Sequence, residues 1–589
     1  MPSPGPLEEI RIKRTIAALC IALICEEMLR AQFASAPSLT LPQGFSSHTN
    51  ALDQSVATAL VPADLSGVSF QNVRVTPHSA IQDETFIAVN PVNLSNLILV
   101  CMDWRGGGPN LPGQVYANWS TDGGSTWATV PVNKPAYMDR TGDPALTFDA
   151  DGRVFYAYLA NDNGSSQYQI DNGVYVNVSS DGGMSWGPPI AVAENLGTGS
   201  RPFDDRIFLA TDLTSGPHHN TVYACWSRKF PALVDHIYFS RKTSTSATFT
   251  TPVQISDASA AASPVPTVGP DGTVYVAWLR EFGNLRRMMI DKSTDGGVTF
   301  GTDVVIDYVI RIGTVITIGG QTLPRLKSTF VIWSLPSIAV DQVSGTVYAV
   351  WADARHGDPD ILLLKSTDRG GTWSPSLRVN TDTLGNGKDQ WHPWVTVGPE
   401  GNVYVVYSDS RNDPNNILTD IYIAVSRDGG TTFRDFRVNT QTFNPLTGDY
   451  PYFIGDYNCV VATSSTVISS WTDMRSGYNS DAYIALVPVS LVHVPDKEPS
   501  VPSRYVLHQN FPNPFNPATR IRFDVPKESF ISLKLYNLLG QEIRVLLSEM
   551  RSAGTHEVLL DPSGLSSGVY LVRLQAEGVV LGRKLLLTK

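Results

Sequence analysis

Four Asp-x-Arg triplets contain the residue types in this chain that are best suited to chemistry. They share one spacing, with an arginine two residues after an aspartate: Asp103–Arg105, Asp353–Arg355, Asp409–Arg411 and Asp473–Arg475. A guanidinium can bind a carboxylate through two parallel hydrogen bonds, and a carboxyl group can act as a general acid or base. The triplets therefore predict either a ligand site or four internal Asp–Arg braces, and their repetition favours the braces.

Further candidate ligand contacts lie between the repeating units of the chain. The segments are "GSRPFDDR" (199–206), "KDQWHPW" (388–394) and "GDYPYFIGDY" (448–457). They offer four candidate ligand-binding residues: Arg206, Asp389, His392 and Tyr450. Aromatic residues of the same segments, such as Trp391 and Trp394, could stack on a sugar ring. A lone histidine is more often hydrogen-bonded within the fold than catalytic or metal-bound.

Short β-strands must position these residues, because the chain repeats a pattern of four apolar or alternating runs. Second runs such as "TVYAVWAD" (346–353) and "NVYVVYSD" (402–409) occur seven times. Asp–Gly turns between the third and fourth runs recur after 59 residues, from Ser120 to Ser179, and after 60 residues, from Ser366 to Ser426. Repeats of this length are typical of solenoids and propellers.

The two ends of the repeat region predict how it closes. Third runs number seven, but fourth runs after the turns number only six, and "NVRVT" (72–76) resembles the fourth runs "SLRVN" and "DFRVN". We predict that this segment pairs with "DAYIALVPV" (481–489), which leaves no open sheet edge. The predicted fold is all-β, with a seven-bladed β-propeller over residues 69–490 and a six-bladed one as the alternative.

The Asp–Gly turn itself has the features of a structural element. Its five copies fit Ser-x-Asp-x-Gly-x-(Ser/Thr)-(Trp/Phe), and their aspartates are Asp122, Asp181, Asp295, Asp368 and Asp428. The pattern lacks the Asp/Asn series and distal Glu of an EF-hand, and it lacks the Gly-Lys-(Ser/Thr) ending of a phosphate loop. The aspartate can accept backbone hydrogen bonds, glycine can adopt a positive φ, and the aromatic residue can pack between blades. We therefore predict a structural role and no metal.

These turns resemble the Asp boxes of the sialidase-like, or BNR-repeat, propeller superfamily, and the resemblance covers about residues 70–490. It implies the fold but not an activity, because the superfamily includes sialidases, other glycan-active enzymes and proteins with no assigned chemistry. Sialidases also carry a Phe/Tyr-Arg-Ile-Pro segment, three pocket arginines and a Tyr–Glu pair. Here Arg74 and Pro77 are one residue too far apart, and Glu84 has no assignable tyrosine, so no catalytic residue is carried over.

Residues 505–589 differ in pattern from the repeats. They contain "NFPNPFNP" (510–517), "LYNLLGQ" (535–541) and "SGVY" (567–570), and these residues resemble the C-terminal sorting domain of the type IX secretion system. The resemblance implies a bacterium with an outer membrane, secretion or display on the outer cell surface, and the secretion machinery as a partner. The alternating short runs predict a small immunoglobulin-like β-sandwich.

The start of the chain has the pattern of an export signal. A basic stretch from Arg11 to Arg14 precedes an apolar run of 11 residues, Thr15–Cys25, which is too short to span a bilayer. We assign residues 1–36 to a signal peptide, 37–68 to a disordered linker and 491–504 to a Pro-rich linker. The mature chain is predicted to have no transmembrane span.

Composition and cysteine usage exclude several partners. The formal charge of −11 and the pI near 5.4 argue against nucleic acid, since no basic stripe is available to neutralise phosphates. Cys101, Cys225 and Cys459 lie in distant segments, which predicts buried apolar side chains rather than a disulfide framework. No residue pattern calls for a cofactor.

Three functions follow from these patterns. The one we favour is a secreted or cell-surface propeller that binds a glycan or another extracellular ligand, such as a glycoprotein, on the face opposite the Asp boxes. The second is a glycoside hydrolase of the exo-sialidase type that uses an Arg/Asp-lined central pocket. The third is a structural or protein-interaction propeller without catalysis. The sequence leaves open whether the protein is an enzyme.

Overall fold

The computed structural model describes residues 69–105, 115–162, 168–230, 235–282, 285–318, 321–326, 330–333, 335–447, 454–477, 479–492, 504–510, 513–516 and 518–588. Within these ranges the secondary structure is β-strand apart from one short helix, which confirms the all-β class. The described residues form two compact units, 69–492 and 504–588. The predicted signal peptide and the linker 37–68 lie outside the described residues.

Strands form in the large unit because β-branched and aromatic residues dominate the predicted runs. In chain order the strands are β1 (Gln71–Arg74); β2 (Gln82–Asn90), β3 (Asn93–Asp103), β4 (Val115–Ser120) and β5 (Ala128–Val132); β6 (Arg140–Phe148), β7 (Val154–Asn161), β8 (Asn172–Ser179) and β9 (Ile190–Asn195); β10 (Phe203–Thr211), β11 (Val222–Lys229), β12 (His236–Lys242) and β13 (Val253–Gln254); β14 (Ala261–Val268), β15 (Val274–Phe282), β16 (Leu285–Ser293) and β17 (Val304–Tyr308). They continue with β18 (Thr314–Ile318), β19 (Gln321–Leu326) and β20 (Phe330–Val331); β21 (Ser337–Val340), β22 (Val347–Asp353), β23 (Asp360–Ser366) and β24 (Leu377–Arg378); β25 (Gln390–Val397), β26 (Val403–Asp409), β27 (Asp420–Ser426) and β28 (Arg434–Arg437); and β29 (Cys459–Ala462), β30 (Thr466–Asp473) and β31 (Asp481–Pro488), before the helix α1 (Val489–Val492).

These strands pair in seven four-stranded antiparallel sheets across the described part of the large unit, beside a small sheet of β18, β19 and β20. Second strands such as β22 and β26 are buried at every position, because each is covered on both faces by neighbouring sheets. The first strands of successive sheets contact one another in the cyclic order β2, β6, β10, β14, β21, β25, β29 and back to β2. The seven sheets therefore surround a common axis, with their first strands innermost.

The last sheet contains the first strand of the chain. Its order is β1-β31-β30-β29, and β1 pairs antiparallel with β31 from Gln71 opposite Leu486 to Arg74 opposite Tyr483. Beyond the strand, the Val75 N–H donates to the Ala482 carbonyl at 2.8 Å. The predicted closure of the repeat region is confirmed.

Side chains of β1 hold the closure on both sides. The Arg74 guanidinium lies 2.6 Å from the Asp481 carboxylate, whose side chain is fully buried. The Asn72 side-chain amide donates to the Val438 carbonyl at 2.9 Å, and its oxygen accepts from the Thr440 N–H at 2.8 Å. Because Val438 follows β28, β1 is tied to the preceding sheet as well as to its own.

The smaller unit has its own core. Its strands are β32 (Val506–Leu507), β33 (Thr519–Val525), β34 (Ser529–Tyr536), β35 (Glu542–Arg551), β36 (Gly554–Leu560), β37 (Gly568–Ala576) and β38 (Val579–Leu587). They form a three-stranded sheet, β32-β33-β36, and a four-stranded sheet, β35-β34-β37-β38. Buried residues of both sheets, such as Phe523 and Leu533, belong to one cluster, so the two sheets share a core.

Removing the Arg74 side chain tests the closure. We expect Arg74→Ala to lower the free energy of unfolding of the large unit by about 1–3 kcal/mol, because Asp481 is left buried without its cation. Urea unfolding followed by tryptophan fluorescence reports the large unit alone, since all 12 tryptophans precede Val492. The matched control is Arg369→Ala, which removes a more exposed ion pair with Asp271 in the large unit. A change in the Arg74→Ala midpoint no larger than the control's would contradict the role given to β1.

Candidate functional site

Five of the innermost strands are interrupted at the same place by a β-bulge. The pairing skips two residues between Asp83 and Phe86, Gly142 and Ala145, Asp205 and Phe208, Ala262 and Val265, and Trp391 and Trp394. The first skipped residue is always non-glycine and left-handed, with φ between 50° and 57°: Glu84, Asp143, Arg206, Ser263 and His392. Such strained conformations are sparse in proteins and concentrate at functional sites, as do bulges.

The five residues belong to a ring around the axis. The other two sheets can be aligned with these five by the aspartate that ends the second strand, Asp353 or Asp473. In this alignment the equivalent residues are Leu335, just before β21, and Tyr457, just before β29. We call the seven residues the axial ring: Glu84, Asp143, Arg206, Ser263, Leu335, His392 and Tyr457. Two residues after each axial-ring position, regular pairing with the second strand of the sheet begins.

An aromatic plug closes the axis next to the axial ring. It consists of Phe86 of β2, Phe208 of β10, Trp394 of β25 and the axial-ring residue Tyr457, which lies just before β29. Every pair of these rings is in contact, with centroids 5.3–6.2 Å apart. Aromatic pairs at these distances add stability beyond their buried area. The polar axial ring is therefore placed against an apolar floor.

Arg206 connects the axial ring across several sheets. Its Nε and Nη2 donate to Asp456 Oδ2 at 3.2 and 2.7 Å, and its Nη1 donates to Ser263 Oγ at 3.0 Å. Its backbone N–H donates to Asp143 Oδ2 at 2.7 Å. The guanidinium also lies 5.3 Å from the ring centre of Trp333. One arginine thus holds carboxylates from the second and the last sheets.

Three carboxyl groups in or next to the axial ring, those of Asp83, Glu84 and Asp143, are protonated more readily than usual. Burial raises the pKa of Asp143 to about 7, and Asp205 adds to the effect. Burial and the nearby Asp456 raise the pKa of Asp83 to about 8. Burial and Asp143 raise the pKa of Glu84 well above its usual value. A carboxylic acid that keeps its proton near neutral pH can donate it in catalysis.

A small depression opens beside these groups. It is lined by His392, Asp456 and Tyr457 with the aromatic walls Trp333 and Trp394. The buried atoms His392 Nε2, Asp456 Oδ1 and Glu84 Oε2 have no hydrogen-bond partner among the described residues. Burial lowers the pKa of His392 to about 3, so the ring is neutral. Buried polar atoms without protein partners call for water or a ligand.

The last and first sheets meet closely at this place. Gly455 has a φ of 87°, and a Cβ there would lie 2.7 Å from the backbone nitrogen of Glu84. Only glycine fits both requirements. Tyr457 follows two residues later, and its hydroxyl donates to the Pro144 carbonyl at 2.9 Å. Glu84 is among the charges that raise the pKa of Tyr457 after burial, so a tyrosine does lie near Glu84, although the sequence does not assign one.

The Asp-x-Arg triplets lie at the ends of the second strands and not in the axial ring. In each triplet the arginine N–H donates to the aspartate two residues before, at 2.6–2.9 Å. The guanidinium then returns to the same carboxylate, at 2.6–2.9 Å in all four triplets. The Trp351 and Trp471 indoles also donate to Asp353 and Asp473. These are the contacts expected of internal braces.

Aromatic residues of the third strands complete the braces. Arg105 stacks 3.7 Å from the Tyr116 ring centre, and Arg411 and Arg475 stack 4.2 Å from the rings of Tyr422 and Tyr483. Arg355 instead reaches the Asp307 carboxylate at 3.1 Å. A guanidinium that is both ion-paired and stacked has little capacity left for a ligand.

Among the between-repeat candidates, Arg206 and His392 lie in the axial ring, and Asp389 does not. Asp389 is buried. Its backbone N–H donates to Asn416 Oδ1 at 3.1 Å, and its carbonyl accepts from the Ser410 N–H at 3.0 Å. Tyr450 lies outside the described residues. Asp83, Glu84, Asp143, Asp456 and Tyr457 are additional site residues that are absent from the predicted set. Only Asp143 among them has a recognisable signal, a polar residue before proline at the start of the innermost strand, "GDPA" (142–145), which it shares with the predicted His392 in "WHPW" (391–394).

The five Asp–Gly turns join neighbouring sheets. In all five, the serine hydroxyl donates to the aspartate Oδ1 at 2.7–2.8 Å. The same Oδ1 accepts from the N–H four residues on at 2.7–3.0 Å. A Cβ on Gly183 would lie 2.3 Å from Ile98 of the preceding sheet, so the turn is packed against its neighbour. The hydrogen bonds from Thr126 lower the pKa of Asp122 to about 2.

The cysteines, possible metal ligands and possible membrane spans can be compared with the predictions from the sequence. Cys101, Cys225 and Cys459 are buried thiols, as predicted. In the part of the chain that the structure covers, no group of three or more His, Cys, Asp and Glu side chains is placed to hold a metal ion. A helix with the length and hydropathy for crossing a bilayer is absent from the described ranges.

Comparison with known proteins identifies the smaller unit. Residues 509–588 match the family profile of the Secretion system C-terminal sorting domain. The chain is therefore an exported protein with a sorting domain, as its residues predicted. Type IX secretion delivers it to the surface or the surroundings of a bacterium with an outer membrane, and the secretion machinery is its partner. No curated protein sequence matches the chain.

Solved structures that resemble the chain include sialidases and arabinofuranosidases. A protein of unknown function from Dyadobacter fermentans has 15% identity and a TM-score of 0.39, over 70% of this chain and 97% of that one. The Hadza microbial sialidase Hz136 has 15% identity and a TM-score of 0.39, over 65% and 74%. The α-L-arabinofuranosidase Arb93A from Fusarium graminearum has 13% identity and a TM-score of 0.39, over 61% and 98%. Such weak likenesses carry no argument about activity.

Asp83 predicts how stability depends on pH. Its pKa is higher in the folded than in the unfolded chain, so the folded state binds more protons between about pH 4 and 8 and loses stability as pH rises through that range. One such group contributes up to about 1.4 kcal/mol per pH unit. We expect Asp83→Asn to stabilise the large unit at pH 8 and to change little at pH 4.

Urea unfolding followed by tryptophan fluorescence at pH 4, 6 and 8 measures this effect. Asp151→Asn is the matched control, because the Asp151 side chain is 64% exposed. If Asp83→Asn shows the same pH dependence as the wild type and the control, Asp83 does not carry its proton in the folded protein.

Proposed function

We propose that the protein is an exported glycoside hydrolase whose reaction takes place at the axial ring. The observation that carries this proposal is the presence of readily protonated carboxyl groups, one of them half-buried, beside a second carboxyl group with an open oxygen. Glycoside hydrolysis generally needs such a pair, one acid to protonate the leaving oxygen and one carboxylate on the other side of the bond. A purely structural cluster would have its carboxyl oxygens paired.

Asp143 and Asp456 are the residues to which we assign the two roles. Asp143 is partly exposed, unlike Asp83 and Glu84, so it can reach a bound substrate with its proton. It donates this proton to the glycosidic oxygen as the bond from that oxygen to the anomeric carbon breaks. Asp456 lines the depression, and its free Oδ1 can accept a proton from the water that adds to the anomeric carbon. Arg206 fixes Asp456 through Oδ2.

Glycan binding without catalysis is the second candidate, at the same place. It is favoured by the two tryptophans, Trp333 and Trp394, that form walls of the depression, because aromatic faces stack on sugar rings in both binding proteins and enzymes. The Asp-x-Arg braces are a poorer candidate for the ligand site, since each arginine already has its aspartate. They fit the structural role that the sequence also allows.

We take the seven sheets as the seven blades of a sialidase-like propeller spanning 69–490, with the Asp boxes on the face opposite the axial ring. The signal peptide 1–36, the linker 491–504 and the immunoglobulin-like topology of residues 505–589 stay predictions.

Chromogenic glycosides test the hydrolase proposal on the full chain. We expect turnover of at least one member of a panel of p-nitrophenyl pentosides, hexosides and sialosides. Asp143→Asn should lower kcat/KM about 10²–10⁴-fold, the usual contribution of a general acid. In the wild type kcat/KM should fall as pH rises above about 7, because Asp143 must be protonated.

Asp151→Asn serves again as the control and should match the wild type. Turnover that survives Asp143→Asn would move the reaction away from the axial ring. If no glycoside is turned over but saturation-transfer NMR detects sugars on the protein, binding without catalysis is the function.

A further inference from the structure

The cations beside the axial ring are already paired with carboxylates. Arg206 has two of its nitrogens on Asp456 and a third on Ser263. Lys229 is ion-paired with Asp205, the residue before Arg206. An anionic sugar would need a guanidinium or ammonium free to bind its carboxylate. Within the described part of the chain, neither Arg206 nor Lys229 has its charge free for such a carboxylate.

Carboxyl groups outnumber these cations. Asp83, Glu84, Asp143, Asp205 and Asp456 lie close enough to shift one another's pKa, against Arg206 and Lys229. Burial without a compensating cation raises the pKa of three of the five, Asp83, Glu84 and Asp143. A further carboxylate brought into this cluster would find both cations already paired with Asp205 and Asp456, and would lose water without a compensating charge.

The open polar atoms suit hydroxyl groups. His392 is almost completely buried, lines the depression and leaves Nε2 without a partner. Asp456 Oδ1 and Glu84 Oε2 are also buried and without partners. A neutral imidazole and carboxyl oxygens can donate to or accept from sugar hydroxyls, which do both. This unpaired histidine is independent of the acidic cluster and marks the same place as a ligand site.

We infer that the axial ring takes an uncharged glycan and excludes sugars that carry a carboxylate, such as sialic and uronic acids. The inference rests on the proposed location of the site and not on catalysis there. It assigns Asp456 a role in specificity, because this carboxylate occupies the two Arg206 nitrogens that would otherwise bind an acidic sugar.

Matched sugar pairs test this selectivity without any variant. Saturation-transfer NMR with the full chain compares the methyl glycosides of glucose with glucuronic acid and of galactose with galacturonic acid, together with N-acetylneuraminic acid. We expect at least one neutral sugar to bind and its acidic counterpart to bind about tenfold more weakly or not at all. An acidic sugar that binds as tightly as its neutral partner overturns the inference, and so does the failure of every neutral sugar to bind.

Asp456→Asn tests the role of Asp456 directly. The substitution keeps the side-chain shape but removes the charge that holds Arg206, so the variant should gain affinity for the uronic acids by about tenfold. Asp151→Asn should leave the selectivity unchanged, and tryptophan fluorescence checks that both variants fold. If folded Asp456→Asn gains nothing for acidic sugars, Asp456 does not set the specificity.

The outcomes separate this inference from the hydrolase proposal. Selective binding of neutral sugars without turnover of any glycoside would end the hydrolase proposal and leave the selectivity intact. Turnover of a sialoside that is abolished by Asp143→Asn would support the hydrolase proposal and end the selectivity.

Discussion

The pairing of β1 with β31 joins residues that are about 400 positions apart in the chain, and the axial ring depends on it. Without β1, β31 would present an unpaired edge, and the seventh sheet would lose the strand through which the chain itself ties it to the first. Glu84 lies in the first sheet, whereas Gly455 and Asp456 lead into the seventh. The contact between Gly455 and Glu84, and the placing of Asp456 near Asp83, exist only when the ring of sheets is closed.

Closure also creates the environment that gives the site its chemistry. Four aromatic rings from separate sheets meet on the axis and fill it with apolar surface. The carboxyl groups packed beside this plug lose water, and their protonated forms are favoured as a result. The buried carboxylates of the braces have partners, because Asp353 and Asp473 each accept from an indole and an arginine. Identical side chains thus have different roles according to whether their charge is compensated.

The sequence was sufficient to predict the strands, the closure and the alternative of internal braces. Each of these depends on local patterns that repeat: alternating runs, a fixed turn and an Asp-x-Arg spacing. The axial ring is not local, since each sheet contributes a single residue and the chemistry appears only when seven sheets meet. Bulges add to the difficulty, because they shift a residue out of the alternation by which inward positions are normally recognised. Arg206 and His392 are recognisable because they lie in charged or aromatic segments between the repeats. Asp143 lies outside those segments, and Tyr457 is one of three tyrosines in "GDYPYFIGDY" (448–457), with no local feature to distinguish it.

Because of the bulges, the side chain at an axial-ring position can differ without a change in the hydrogen bonds between the strands. A residue that the pairing skips takes no part in the strand register, and the seven members of the axial ring already range from Leu335 and Ser263 to Arg206 and Glu84. Exchanging one of them alters the chemistry at the axis while every sheet keeps its pairing. A fold with this property can acquire a new specificity through single substitutions in the axial ring, while the Asp-x-Arg braces stay unchanged.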